Sequence, residues 1–289
     1  MPINAGEIKK LVLDEDDFGH EMRVGKILAD LANVQTSGEA IYIESPSHGG
    51  TYTDSIMGKL RQFDYRCRLI CANPPFQNKC VILAIECKNL HNTSPLVICG
   101  RARTKTESYY ALIESSFNDL TGANSTFTRG IQHQQLYEEG KFVGKSLLRV
   151  KTKRDGTLET VPSADIYERW SQALSSSVEL SESACWFANS GCKRVVSLVL
   201  PLVVLPDQSL WAVTYDSAGS IPGDPQPAEE CQYFVEKRFT VNNGRHPFVL
   251  THIHFVTLTG LGSFLSRFWK HQDVWDWIFP EGSSQVNLG

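Results

Sequence analysis

A turn between two apolar runs constrains the fold of this chain more than any other segment. The turn covers residues 73–79 and reads Asn-Pro-Pro-Phe-Gln-Asn-Lys. Its two prolines fix φ and cannot donate a ladder hydrogen bond, so they separate one strand from the next. Residues 61–72 and 80–90 are therefore predicted to form the two antiparallel strands of one hairpin.

Symmetry about Phe76 predicts the register of this hairpin, with Asp64 opposite Lys88 and Arg66 opposite Glu86. Opposed residues share a face of the sheet, and side chains alternate between the two faces along each strand. One face is therefore predicted to carry Asp64, Arg66, Arg68, Glu86 and Lys88.

Two carboxylates and a lysine on one strand face are groups that can hold Mg²⁺ beside a phosphodiester and activate water. Glu86 and Lys88 end the apolar run 81–85, which is typical of a buried strand. Ionisable groups clustered at the end of such a strand indicate a functional site. The alternative is a solvated sheet face with cross-strand ion pairs, and the pattern alone leaves both interpretations open.

The segment Gln62-Phe63-Asp64, followed by Ile85-Glu86-Cys87-Lys88, resembles the PD-(D/E)xK motif of the restriction-endonuclease-like nuclease superfamily. Position 63 is Phe where the name of the motif has Pro. The resemblance implies that Asp64 and Glu86 bind a divalent metal and that Lys88 polarises the attacking water. It also implies a glutamate on the helix before the sheet, and Glu21 fits this place on the inward face of a helix predicted over residues 17–33.

The resemblance implies an α/β fold with a restriction-endonuclease-like core, in which a mixed central sheet is flanked by helices. A strand-rich extension follows at the C terminus. Residues 1–289 would form one elaborated domain, with a motif-bearing core at about 17–120 and a loose polar tail at 281–289. The implied cofactor is Mg²⁺, for which Mn²⁺ can substitute, and the implied metal ligands are Asp64, Glu86, Glu21 and the backbone carbonyl of Cys87.

Other features limit where the protein works. No apolar stretch reaches the roughly 20 residues of a membrane helix, and the N terminus lacks a signal-peptide pattern, so we expect a cytoplasmic protein without a membrane partner. The eight cysteines lack the spacing of a zinc site or of a disulfide framework and are expected to be reduced, structural thiols.

The formal net charge of −4 predicts that any nucleic acid is bound by local patches of positive charge. Arg101 and Arg103 alternate with Lys105 just past the site strand. A denser cluster contains Lys141, Lys145, Arg149, Lys151, Lys153 and Arg154. Contacts from such residues to DNA phosphates would make binding fall steeply with salt, whereas the alternative for each patch is a solvated turn.

The remaining pattern predicts helices at 107–120, 165–180 and 260–270, and strands at 195–205, 210–215, 231–241 and 248–258. A competing motif, Gly-Lys-Phe-Val-Gly-Lys-Ser at 140–146, resembles a P-loop. It is one residue short between the glycines and does not follow a hydrophobic strand, which argues against a P-loop NTPase.

The resemblance implies a metal-dependent endonuclease that hydrolyses DNA, expected to be double-stranded, in bacterial restriction or anti-phage defence, and the residues themselves leave DNA versus RNA open. The alternative is a non-catalytic nucleic-acid-binding or assembly module that retains the nuclease fold. The sequence leaves open a protein partner in a defence complex and association into a homo-oligomer.

Overall fold

The computed structural model describes most of the chain, in which long runs of strands are separated by a few helices. The described residues are 4–15, 18–33, 41–54, 58–73, 77–90, 94–132, 135–153, 155–161, 163–270, 272–280 and 285–286. The α-helices are α1 (Ala5–Glu15), α2 (Phe18–Asn33), α3 (Ser163–Ala184), α4 (Leu258–Lys270) and α5 (Gln272–Ile278). Short 3₁₀ turns lie at Lys105–Glu107 and Gln135–Tyr137.

The strands of the N-terminal half are β1 (Ile41–Ile43), β2 (Ser47–His48), β3 (Thr51–Asp54), β4 (Lys59–Gln62), β5 (Tyr65–Asn73), β6 (Gln77–Cys87), β7 (Leu96–Ala102), β8 (Tyr109–Asn118) and β9 (Ala123–Gln132). Those of the C-terminal half are β10 (Phe142–Thr152), β11 (Leu158–Val161), β12 (Arg194–Leu205), β13 (Leu210–Thr214), β14 (Gln226–Pro227), β15 (Glu230–Val241), β16 (His246–Thr257) and β17 (Gln285–Val286).

One mixed sheet connects both halves of the described chain, in the order β1-β5-β6-β12-β16-β15-β10-β7-β13-β14, while β3 and β4 form a separate hairpin. Its centre is parallel, because β12 runs alongside both β6 and β16. Central parallel strands are covered on both faces, which explains why 81–85 and 195–205 are continuous apolar runs without alternation. The predicted α/β class, the mixed sheet and the strand-rich C-terminal region are confirmed.

Helices cover both faces of the sheet centre. Trp170, Ala173 and Leu174 of α3 pack on one face, which we call the α3 face. Residues of α2, α4 and α5 pack on the other, which we call the α2/α4 face. The predicted helices at 17–33, 165–180 and 260–270 correspond to α2, α3 and α4.

The hairpin of β5 and β6 forms as predicted, with a register that differs by two residues. Tyr65 lies opposite Ile85 and Arg66 opposite Ala84, so the predicted pairs Asp64 with Lys88 and Arg66 with Glu86 are wrong. A shift of two residues keeps every side chain on its predicted face. Ile70 and Ile82 accordingly lie in the core of the α3 face, and the predicted turn centre, Phe76, lies outside the described residues.

The predicted helix at 107–120 is wrong, because this segment forms strand β8 between β9 and β12. Tyr109 to Ile113 are all buried, since one face of β8 meets each core. A strand buried on both faces loses its two-residue alternation and can imitate the apolar spacing of a helix.

Two further segments differ from the sequence-based expectations. The P-loop-like segment leads into strand β10, whereas a P-loop requires a helix after its glycines, so this alternative is wrong. In the tail predicted to be loose, Gln285 and Val286 pair with β9, and the rest of 281–289 lies outside the described residues.

Two glycines of α4 provide a test of how closely this helix is packed. A Cβ atom on Gly260 would lie 2.0 Å from the carbonyl oxygen of Glu229, whereas one on Gly262 would meet nothing within 4 Å. We expect Gly260→Ala to destabilise the protein by about 1–3 kcal/mol, because the backbone must shift. Gly262→Ala, the matched control, should be neutral or stabilising by about 0.5–1 kcal/mol. Thermal unfolding of both variants measures the difference, and equal melting temperatures would contradict the close approach.

Candidate active site

Asp64, Glu86 and Lys88 come together at one end of the β5–β6 hairpin. Asp64 directly precedes the first paired residue of β5, and Glu86 directly follows Ile85 in β6. Asp64 Oδ2 accepts a hydrogen bond of 2.6 Å from the backbone amide of Cys87. The ammonium of Lys88 lies 3.5 Å from Glu86 Oε2. The structure therefore assembles the two carboxylates and the lysine that the sequence singled out.

Glu86 is held in an unfavourable place for a charge. The residue is only 1% exposed, and among the described residues its Oε1 atom has no hydrogen-bond partner. Burial and the neighbouring charge of Asp64 raise the pKa of Glu86 to about 8, although Lys88 acts in the opposite direction. Such a carboxylate would be stabilised by a cation placed beside it.

The carbonyl oxygen of Val204, near the end of β12, fixes the backbone around the site. It accepts the amide of Lys88 at 2.9 Å and lies 3.0 Å from Nε2 of the buried His20. A hydrogen bond at this distance to a carbonyl requires the proton on Nε2. The first bond places Lys88 beyond the end of β6, and the second fastens the first turn of α2 to the same strand end.

Glu21 extends from this first turn of α2 towards the end of the sheet. Its Oε2 lies 3.4 Å from Nε2 of His48, whose ring stacks on Tyr65 with centroids 4.4 Å apart. Burial raises the pKa values of Tyr65 and Cys87, and the carboxylates of Asp64 and Glu21 add to both shifts. Glu21 is thus close to the Asp64 side of the site, beside Cys87, as the sequence predicts.

His20 and His48 are site residues that sequence reasoning missed. His20 falls on the buried stripe of α2, where a histidine carries no distinct signal. His48 precedes Gly49, whose φ of 69° is the left-handed conformation that favours glycine in tight turns. The pair Gly49-Gly50 after His48 was the available signal. Two glycines favour a tight turn, and such a turn can place the histidine before it against a neighbouring strand, here β5.

The β3–β4 hairpin and α3 cover the α3 face of the site. The hydroxyl of Tyr52 donates to the backbone carbonyl of Gln172 at 3.2 Å. Burial raises the pKa of Tyr52, and the charge of Glu86 adds to the shift. Arg66 lies over the ring of Phe63 at 4.0 Å and forms an ion pair with Glu179.

The oxygen ligands available at this site are suited to Mg²⁺, which needs few ligands from the protein. Among the described residues, no three side chains of His, Cys, Asp or Glu converge as a preformed metal cage. Mg²⁺ commonly uses only one or two carboxylates and keeps several waters, so Asp64 and Glu86 meet its need. The N–H and C=O of a strand residue point to the same side, so the Cys87 carbonyl is directed towards Asp64 together with its amide.

The predicted DNA-contacting cations separate into three environments. Arg101 and Lys145 both form ion pairs with Glu107, whose carboxyl pKa is lowered to about 2 by hydrogen bonds from Lys145 and Thr104 despite its burial. Arg103 is 2% exposed, so the expectation that it joins Arg101 in a surface patch is wrong. Lys141 lies across from Glu138 at 3.8 Å.

The remaining described cations of the denser cluster, Arg149, Lys151 and Lys153, belong to the β10–β11 hairpin. Lys151 and Lys153 share one carboxylate, that of Glu159, at 3.0 and 3.3 Å. Arg149 donates to Ser94 Oγ at 3.0 Å, and Arg154 lies outside the described residues. Lys151 and Lys153 are therefore exposed to solvent, and the single charge of Glu159 neutralises part of their positive charge.

No protein-family model, no curated protein and no solved structure matches this chain. No described helix is both long enough and apolar enough to cross a membrane.

The buried charge of Glu86 leads to a prediction for the metal-free protein. With its pKa raised, the folded state binds the proton more tightly than the unfolded state, so stability falls as pH rises from the ordinary value towards about 8. Glu86→Gln keeps the shape and stays neutral. We expect it to be more stable than wild type in EDTA above about pH 8, by a few kcal/mol in chemical unfolding, and to lose this advantage at acid pH.

Glu114→Gln is the matched control, because Glu114 is also largely buried but pairs with Arg194 at 2.7 Å. This substitution should give no gain in stability at any pH. A Glu86→Gln variant less stable than wild type above about pH 8 would contradict the described environment of Glu86.

Proposed function

We propose that this protein is a metal-dependent endonuclease that hydrolyses DNA phosphodiester bonds, of the PD-(D/E)xK type and with a restriction-endonuclease-like core. The observation that carries the proposal is the meeting of Asp64, Glu86 and Lys88 at the ends of two paired strands, with Lys88 Nζ 3.5 Å from Glu86. The coverage of the mixed sheet by helices on both faces supports it. Action in restriction or anti-phage defence rests on the motif resemblance alone, and location in the cytoplasm rests on the absence of a signal-peptide pattern in the sequence.

Asp64 and Glu86 would hold Mg²⁺, with the Cys87 carbonyl and Glu21 as further oxygen ligands. When bound, Mg²⁺ supplies positive charge that stabilises the extra negative charge on the phosphate oxygens in the transition state. The amide of Cys87 donates a hydrogen bond to Asp64 Oδ2 and so fixes the position of this carboxylate. His48 packs beside Glu21 and limits the positions that this carboxylate can adopt.

Lys88 would position the attacking water and assist its deprotonation. Its amide is fixed to Val204, and its side chain is only 14% exposed, so the ammonium has few conformations to choose from. A water held by this group can attack the phosphorus while the bond to the leaving 3′ oxygen breaks. Positioned groups of this kind contribute about 10²–10⁴ in rate.

The β10–β11 hairpin is within reach of a DNA strand bound at the site. Ser94, which holds Arg149, follows Lys88 by six residues, so their Cα atoms lie at most about 22 Å apart. Phosphates of one DNA strand are spaced about 3.4 Å along the helix axis, so Ser94 and the Arg149 side chain that contacts it lie about six phosphates or fewer from the site. This distance supports a phosphate contact from Arg149, and Lys151 and Lys153 follow it further along the same hairpin.

Lys88→Met tests the chemistry, with Lys79→Met as a matched control. Lys79 lies on the same strand at its opposite end, about 30 Å away, and pairs with Asp276 at 2.6 Å. We expect Lys88→Met to bind DNA and Mg²⁺ normally but to cleave plasmid about 10²–10⁴-fold more slowly than wild type, because the group that orients water is lost. Asp64→Asn should lose both cleavage and Mg²⁺ binding by calorimetry.

Two outcomes would overturn the proposal. Cleavage by Lys88→Met at the rate of Lys79→Met would mean that the hairpin end is not the catalytic centre. A wild-type protein that binds DNA but cleaves neither DNA nor RNA, with Mg²⁺ or Mn²⁺, would instead be the non-catalytic binding module.

Glu159→Gln tests the DNA-binding hairpin by releasing two lysines at once. We expect tighter binding to DNA and a steeper salt dependence, because each additional phosphate contact changes the slope of log K against log salt by about 0.9. Replacing Lys151 and Lys153 by Glu should have the reverse effect on both quantities.

The ion pair of Lys193 with Asp119 provides the control. It lies before the start of β12, at the opposite end of a 12-residue strand from Val204 and thus about 36 Å from the site. Neither Asp119→Asn nor Lys193→Glu should change the slope. An unchanged slope in Glu159→Gln as well would exclude the β10–β11 hairpin from the DNA interface.

A further inference from the structure

A cavity of about 440 Å³, away from the candidate active site, lies where α4 and α5 meet the beginning of β15. Its volume is in the range of pockets that bind small molecules. Five charged residues line it: Arg103, Lys141, Arg267, Glu138 and Glu230. Three cations and two acids give the lining an excess of one positive charge.

Arg103 is the buried cation of this cavity, with only 2% of its surface exposed. Its guanidinium donates to the backbone carbonyl of Glu138 at 3.0 Å and to the side-chain oxygen of Gln232, both of which are neutral acceptors. Its Nε has no acceptor among the described residues. Burial lowers the pKa of this guanidinium, and the charges of Glu107 and Glu138 act in the opposite direction. These charges offset part of the free-energy cost of the buried cation, and an anion in the cavity would offset more of it.

Glu230 does not serve as that anion, because its own charge is already engaged. Arg267 donates to Glu230 Oε2 at 2.6 Å, and His254 Nδ1 lies 3.6 Å from Oε1. Burial alone would raise the pKa of Glu230, but the contacts with His254 and Arg267 outweigh it and lower the pKa to about 2. His254 in turn bonds to the hydroxyl of Tyr137 at 2.9 Å, which fixes this network beneath the cavity.

Part of the apolar lining is aromatic. Phe264 and Phe268 form the wall contributed by α4, and Trp277 of α5 lies at the rim with 38% of its surface exposed. A partly exposed tryptophan in the same cavity as a buried arginine suits a ligand with a planar ring and an anionic group, because the ring can stack on the indole while the anion contacts the arginine.

The cavity is distinct from the candidate active site. Cys87, Val204, Val256 and Glu230 lie side by side across four neighbouring strands. Three strand spacings of about 4.8 Å separate the ends of this row, which places Glu230 about 14 Å from Cys87. Glu230 also shares the α2/α4 face with Val256, whereas Glu86 lies on the α3 face, next to Cys87 in the strand.

We propose that this cavity binds a nucleoside monophosphate, with the phosphate held by Arg103 and Lys141 and the base stacked on Trp277. The proposal does not depend on nuclease activity, because no residue of the catalytic site takes part in it. It also gives a function to Arg103, whose buried Nε has no hydrogen-bond acceptor among the described residues.

Isothermal titration calorimetry of the full chain with AMP, GMP, CMP and UMP, each separately, tests the proposal. We expect saturable binding of at least one nucleotide at one site per chain, with adenosine and inorganic phosphate each binding at least about ten-fold more weakly than the best nucleotide. Arg103→Met and Trp277→Ala should each weaken binding about ten-fold or more.

Arg238→Ala is the matched control for the cations, because Arg238 lies on the same strand as Glu230 in an exposed ion pair with Glu236. It should leave the affinity unchanged. If Arg103→Met does not fold, Lys141→Ala replaces it, since the Lys141 side chain is exposed and its loss should still weaken binding. Because Asp64→Asn carries an altered catalytic site, unchanged nucleotide binding in this variant separates the cavity from the proposed nuclease.

Three results would overturn the assignment. The first is no saturable binding of any of the four nucleotides to the folded wild type. The second is inorganic phosphate binding as tightly as the best nucleotide, and the third is unchanged affinity in both Trp277→Ala and the Arg103 or Lys141 variant.

Discussion

The parallel pairing of β6 with β12 is the interaction on which the rest of this structure depends. It runs without interruption from Asn78 and Val195 to Cys87 and Val204. Both strands are buried, so hydrophobic burial on two faces stabilises the pairing. The pairing ends at the Val204 carbonyl, which receives both the Lys88 amide and the His20 ring. One strand end therefore sets the position of a lysine and of a helix at the same time.

This arrangement explains how a very apolar strand can carry a charged site. Ile85 and its predecessors commit β6 to the interior, and Glu86 follows before the chain has left it. The carboxylate is consequently desolvated next to Asp64, a combination that disfavours its charged form. The positive charge of Lys88 reduces this free-energy cost only in part. Such a cost is typical of sites where stability is given up for chemistry.

The sequence alone predicts the hairpin, its faces and the meeting of Asp64, Glu86 and Lys88, because two prolines and strand alternation are local signals. It does not predict the register, since a shift of two residues leaves every side chain on the same face and therefore leaves the alternation unchanged. The error at β8 has a different cause: Tyr110, Leu112 and Ile113 follow the spacing of a helix face, and only their burial between two layers makes them a strand. Non-local contacts of this kind leave no pattern within a short window.

The charges show the same limit. Lys145, Lys151 and Lys153 read as a basic run, yet each is paired with a glutamate that lies elsewhere in the chain. Arg103 reads as a surface residue because of its neighbours and is instead enclosed by β15 and by the turn before β10. Partners outside the basic run decide both cases: Glu107 and Gln232 are distant in sequence, whereas Glu159 follows the run after a turn.

The reactivity of the buried cysteines can report local unfolding of this protein. Seven of the eight are buried, and those of known environment divide between the two layers: Cys80, Cys185 and Cys231 belong to the α3 face, and Cys67, Cys71 and Cys87 to the α2/α4 face. Burial raises the pKa of each of these six thiols, so oxidants and alkylating reagents meet almost no thiolate while a layer stays closed. The modification rate of each group then reports the fluctuation of one layer separately from the other.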